Sequence, residues 1–144
     1  MLLYWLPILL VILSNTLYHI TAKSTPGTAN PLASLLVTYL VASAVTLVLM
    51  LGNQAAHKAE LFPFRGLNWT SFALGLCIVG LEYGYIMAYR AGWNISVGSL
   101  VANIVLAIIL LAVGVLLFRE HMTIQRGVGI LLCVIGLVFI NWKA

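Results

Sequence analysis

Charge is the resource this chain has least of. Only 7% of its 144 residues are charged, aspartate is missing, and the acids are three glutamates, Glu60, Glu82 and Glu120. A soluble domain carries about 25% charged residues, so a free-standing water-soluble fold is excluded. The net charge of +4 is small and scattered, which leaves no basic patch and no case for a nucleic-acid partner. Cysteine is equally scarce. Cys77 and Cys133 both fall inside apolar runs, without CxxC spacing, so they read as small core residues and not as a disulfide or metal site. Walker loops, HExxH and nucleophile elbows are absent. His57 and His121 lie between apolar runs without ligand spacing. Neither a metal, a cofactor nor an enzymatic activity is expected.

Apolar residues are abundant: they make up 63% of the chain, and the mean hydropathy is +1.13. They gather in runs over residues 2–22, 32–51, 69–89, 96–118 and 127–142. A crossing takes about 20 residues at 1.5 Å rise. Helices are the only open-chain way to satisfy backbone groups in lipid. The expectation is an all-α membrane protein, a five-transmembrane-helix bundle forming one domain over residues 1–144. The last run is short, so it either begins before Gly127 or sits in thinned bilayer. The first run resembles a signal segment, but four more follow it, so it reads as a retained helix.

The breaks carry turn chemistry. Ser24, Thr25, Pro26 and Gly27 lead to Asn30-Pro31. Residues 52–68 hold His57, Lys58, Glu60 and Arg65, with Phe62-Pro63-Phe64 placed at the interface. Gly92 and Asn94 make a tight turn, and Thr123 is a candidate N-cap for the last helix. Trp5, Trp69, Trp93 and Trp142 all lie near run ends, as an aromatic belt requires. Five crossings put the termini on opposite sides. One side then carries Lys58, Arg65, Arg119 and Arg126, the other Lys23, Arg90 and Lys143. That near balance fits a weakly oriented chain and a chain that inserts both ways and pairs antiparallel about equally well.

Glu82 is the one acid inside an apolar run. A carboxylate at mid-bilayer costs roughly 2.5–3.5 kcal/mol on insertion scales. On one reading the acid is neutral and hydrogen-bonded to a neighbouring helix. On the other it faces a wet cavity and exchanges protons with a substrate, and this second reading is favoured. At 100° per residue, Gly75, Ile78, Glu82, Tyr85 and Tyr89 share one face of the third helix. Ala73, Cys77, Gly80, Gly84 and Ala88 share the opposite face, a small-residue stripe expected to pack tightly on a neighbour. Arg90 is expected to snorkel to the headgroups. On the first helix Asn15, His19 and Lys23 form a polar stripe. Interhelical hydrogen bonding explains Asn15, and His19 is either structural or part of the proton traffic. Tyr39, Ser43 and Thr46 make a polar face on the second helix, and Ser99 and Asn103 on the fourth. The glycine-rich last helix reads as a packing element.

From Asn94 onward the chain follows a known pattern. A small-residue helix ends in Phe118-Arg119-Glu120-His121-Met122, and a short Gly-rich helix ends in Ile135-Gly136-Leu137-Val138-Phe139-Ile140-Asn141. This resembles the closing two helices of the drug/metabolite transporter superfamily. Phe118-Arg119-Glu120 is similar to the FGE-type break of its EamA-like members, except for the middle glycine. Tyr85 and Tyr89 before the tight turn, followed by Ser96, resemble that family's third-to-fourth helix join. The likeness covers most of the chain and is strongest over residues 80–142. It implies one EamA-like five-helix repeat, related to the small multidrug resistance transporters. Complete members carry two inverted repeats with substrate between them, so one repeat implies a partner, and an antiparallel homodimer supplies that geometry. The small multidrug resistance branch carries its coupling glutamate on the first helix, where this chain has Asn15. That role is not carried over, and Glu82 is this chain's own candidate for it.

The expected function is thus a proton-coupled or facilitative secondary transporter of a small metabolite or amphipathic cation, in the lipid bilayer of a prokaryotic inner membrane. Glu82 is the proton or cation site. Tyr85, Tyr89, Tyr18 and Tyr39 are candidate cavity residues because aromatic faces attract cations, and Asn15, His19 and Asn103 are candidate hydrogen-bonding groups. The alternative is a non-transporting membrane subunit that assembles with another repeat-type protein.

Overall fold

The computed structural model describes residues 2–57, 67–119, 121 and 123–141. Among them the chain is all-helical, with α1 (Leu2–Ser24), α2 (Pro31–His57), α3 (Trp69–Arg90), α4 (Ile95–Leu116) and α5 (Ile124–Asn141). Four helices, α1 to α4, are long and apolar enough to cross a membrane, and α5 contributes a shorter apolar stretch, Gly127–Gly136. The chain is an all-α membrane protein. The segment holding Lys58, Glu60, Phe62, Pro63, Phe64 and Arg65, together with Glu120, Met122, Trp142 and Lys143, lies outside the described residues.

Local chemistry sets the helix ends. The Asn30 side-chain oxygen accepts from the backbone nitrogens of Leu32 and Ala33 at 2.9 and 3.2 Å. It caps α2, and Pro31 takes the first helical position, where a missing N–H costs nothing. Asn68 caps α3 in the same way, accepting from Thr70 N at 2.9 Å and from the Thr70 hydroxyl. At the other end of α3, Ala91 N returns to Met87 O at 2.9 Å, and Gly92 turns the chain with φ 101°, a conformation glycine adopts without strain. Thr123 stands just before α5, and its carbonyl accepts from Gly127 N at 3.2 Å. The expected N-cap position is therefore where the helix starts. As expected, α5 begins ahead of Gly127.

Two boundaries differ from the hydropathy runs. Helix α2 continues from Leu51 to His57, which places His57 on a helix and not in a loop. Asn53, Gln54, Ala55 and Ala56 tolerate helix well enough, and hydropathy marks where lipid ends, not where a helix does. Helix α4 stops at Leu116, two residues short of Phe118, and Arg119 then adopts φ 51°.

The chain divides into two compact units. One runs from Thr21 to Ala91 and holds the end of α1, the first turn, and α2 packed on α3. The other holds α1 up to Ile20 with the segment from Gly92 onward, in which α4 packs on α5.

Candidate functional site

In the Thr21–Ala91 unit, α2 and α3 meet antiparallel, so the start of α2 lies by the end of α3. The Arg90 guanidinium, at the end of α3, donates through Nη2 to Pro26 O at 2.9 Å and Ala29 O at 2.7 Å, just ahead of α2. Leu35, Ile86 and Tyr89 are the buried apolar residues here, at 4, 6 and 5% exposure. All three belong to this end of the pair.

Glu82 lies one turn farther in and is half-buried. Its carboxyl faces the Tyr39 phenol of α2. The two groups are close enough to interact, yet the phenol oxygen is enclosed without a hydrogen bond of ordinary geometry. The site thus sets an acid beside a hydroxyl. Tyr85 is half-buried on the same stretch of α3, and its ring stacks on Tyr89 with centroids 6.0 Å apart and planes 30° apart. The order along α3 is carboxyl, ring, ring, spanning about 10 Å at 1.5 Å per residue.

Covering ends at Glu82. Every residue from Leu40 to Leu49 on α2 and from Leu74 to Leu81 on α3 is exposed. Helical spacing continues the Leu35–Tyr39 face of α2 into Ala42, Ser43 and Thr46, and the Glu82 face of α3 into Ile78, Val79 and Gly75. The α2 wall is small or mildly polar, and the α3 wall is apolar. The Ser43 and Thr46 hydroxyls donate to carbonyls of their own helix at 2.7 and 2.8 Å, which keeps them satisfied without a neighbour. Ile78 is 38% exposed against 76% for Leu76 on the outer face. The α2–α3 pair is therefore closed at the end of the first turn and uncovered from Glu82 outward.

The other end of the aromatic stack is sealed. Lys23, in the last turn of α1, sets its ammonium 5.6 Å from the Tyr89 ring centroid and donates to Tyr89 O at 3.3 Å. It gains from the ring face and from the negative end of the α3 dipole. Arg90, expected to snorkel to the headgroups, instead donates to two loop carbonyls, Ala29 O and Pro26 O, the latter also accepting from Ala29 N. Both contacts were missed by reasoning along single helices. The signal was there, since Lys23 and Arg90 end odd-numbered helices and so must share a side.

The small-residue face of α3 departs from expectation over its middle, while Ala73 and Ala88 at its ends are half-buried. Cys77, Gly80 and Gly84 are exposed, and nothing lies within 4 Å of a Cβ built on either glycine. The face bearing Glu82 is the one that packs on α2, because Ile86 and Tyr89 offer more area to bury than glycines do.

The remaining candidate residues belong to the other unit. His19 is buried at 6% exposure, with its ring edge-on to the half-buried Tyr18 at 5.2 Å. Asn15 is exposed, and so is Asn103, whose amide donates to Ser99 O of its own helix at 2.8 Å. Cys77 and Cys133 are free thiols. No group of metal-ligating side chains occurs among the described residues. None of the protein-family models, curated proteins or solved structures compared with the chain matches it.

Proposed function

We propose that the chain is one repeat of a secondary transporter for a small metabolite or amphipathic cation, coupled to protons and completed by a second, inverted copy in a prokaryotic inner membrane. On this reading α5 is the fifth crossing. One observation carries it: a carboxyl set inside a membrane helix, where the covered end of the α2–α3 pair gives way to its exposed stretch, beside a phenol and a stack of two tyrosines. That arrangement suits exchange. A protonated Glu82 is neutral in the empty protein. An arriving cation takes the carboxylate as counter-ion, the proton leaves to water, and Tyr39 donates to whichever form is present. Charge in the crevice stays balanced at each step, which keeps a buried ion from standing alone. Tyr85 supplies a ring face for the organic part of the ligand.

A partner follows from the repeat count, and the unfilled Gly80–Gly84 face supports one. It serves the alternative reading, a non-transporting subunit of another membrane protein, equally well. Two measurements separate them. Purified protein in vesicles should accumulate tetraphenylphosphonium or another organic cation against an imposed pH gradient, and a proton ionophore should abolish this. Chemical crosslinking should trap a homodimer. A chain that neither moves cations under a gradient nor binds its own copy is not this transporter.

A further inference from the structure

Resting on that transport reading, we infer that the turn over residues 25–30 is the closed gate of the Glu82 crevice, with Arg90 as its latch and Lys23 as its second fastening. The turn is attached to α3 rather than simply adjacent to it. One guanidinium nitrogen holds both Pro26 O and Ala29 O, at 2.9 and 2.7 Å, the two carbonyls that bracket Gly27 and Thr28. Lys23 anchors the incoming helix at Tyr89 O. Beneath these lies Tyr89, 5% exposed, then Tyr85, then the carboxyl. All these residues fall in the Thr21–Ala91 unit.

The asymmetry is the argument. Toward residues 25–30 the crevice is shut by side chains that reach across three chain segments. Away from them α2 and α3 leave each other uncovered from Tyr39 and Glu82 onward. A site reached from alternate sides needs one closure that can be undone without unfolding. Hydrogen bonds from a cation to loop carbonyls suit that task, because water replaces them once the turn lifts. A packed apolar plug would have no such substitute. Among the described residues, apart from Arg90, the turn is held only by local bonds: Thr25 N and Oγ1 to Ala22 O and Thr21 O at 3.4 and 3.2 Å, Ala29 N to Pro26 O at 3.0 Å, and the Asn30 cap of α2. Pro26, Gly27, Thr28 and Asn30 are exposed.

The test uses full-length protein in lipid nanodiscs, with Cys77→Ser and Cys133→Ser as background. Spin labels at Thr28→Cys and Ala91→Cys, both exposed positions, report the turn-to-α3 distance. A single short distance is expected with Arg90 present. Arg90→Gln should add a longer population, raising the open-to-closed ratio roughly tenfold to a hundredfold, about the worth of one charge-assisted bond, since the amide and water replace the rest, and Arg90→Lys should fall between. In separate variants, Ile86→Cys or Leu35→Cys, buried residues on the gate side of Glu82, reports water entry through modification by an impermeant thiol reagent. Its rate should rise with Arg90→Gln by the same factor. An unchanged distance overturns the latch. A longer distance with an unchanged modification rate at both buried positions overturns the gate, because the turn would then cover nothing. If both readouts move while vesicles show no cation flux, the gate stands and the transport reading falls.

Discussion

Replacing Glu82 with glutamine removes a charge and leaves a side chain of nearly the same size. A cation bound beside the carboxylate would sit about 4–5 Å from it. At an effective dielectric of about 20 the attraction is roughly 3–4 kcal/mol. The site is half-buried and open on one side, so water screens it, and about 1.5–2 kcal/mol of net loss is expected. That converts to a loss of about 10- to 30-fold in affinity. Equilibrium binding of radiolabelled tetraphenylphosphonium to purified protein at pH 8 measures it. Flux driven by a pH gradient should vanish altogether, since glutamine has no proton to exchange. The fold should hold, because the Tyr39 phenol makes no ordinary hydrogen bond to the carboxyl that would be lost, and removing an acid from a membrane helix lowers its insertion cost. Binding within twofold of the parent, with gradient-driven flux intact, would refute the assignment of Glu82.

Tyr39→Phe keeps the ring and removes the hydroxyl that faces Glu82. Cation affinity should change less than threefold, while gradient-driven flux falls by a smaller factor than with Glu82→Gln; equal losses in the two variants would mean that the phenol itself is the site. Arg119→Gly should stabilise the protein by about 0.5–1 kcal/mol, because φ 51° is costly for a side chain and free for glycine, offset by glycine's greater freedom when unfolded. Thermal unfolding in detergent checks it. Gly84→Leu should leave the protomer's melting temperature unchanged or slightly higher, since the position is open and leucine favours helix over glycine by about 0.5–1 kcal/mol. The crosslinked dimer fraction should drop if this face meets the second copy.

Helices were legible in the sequence wherever lipid dictated them. Apolar runs, Asn30 and Asn68 as caps, and Gly92 as a stop gave α1 to α4 to within a few residues, apart from the polar end of α2. There the hydropathy signal stops at Leu51 although the backbone carries on. Faces were less legible. A wheel says which residues share a side, but the choice between packing Gly80 with Gly84 and packing Ile86 with Tyr89 depends on the area each buries against a particular neighbour. The Glu82–Tyr39 encounter joins residues 43 positions apart on two helices, and no periodicity within one helix contains it. The Arg90 contacts were hidden because backbone carbonyls look the same at every position until a turn aims two of them at one side chain. Arg119 takes φ 51°, a left-handed backbone set by how α4 ends, which could not be read off the residue type.

Helix α2 has 27 residues and so measures about 40 Å, against roughly 30 Å for the hydrocarbon layer. The excess of about 10 Å is taken up by tilt or by the polar end, residues 53–57, reaching past the hydrocarbon, some 27 Å of axis beyond Tyr39 at 1.5 Å per residue. Pivoting about that tyrosine by about 10° sweeps His57 through about 5 Å by the same rise. A tilt that leaves Tyr39 in place beside Glu82 is therefore several ångströms at residue 57.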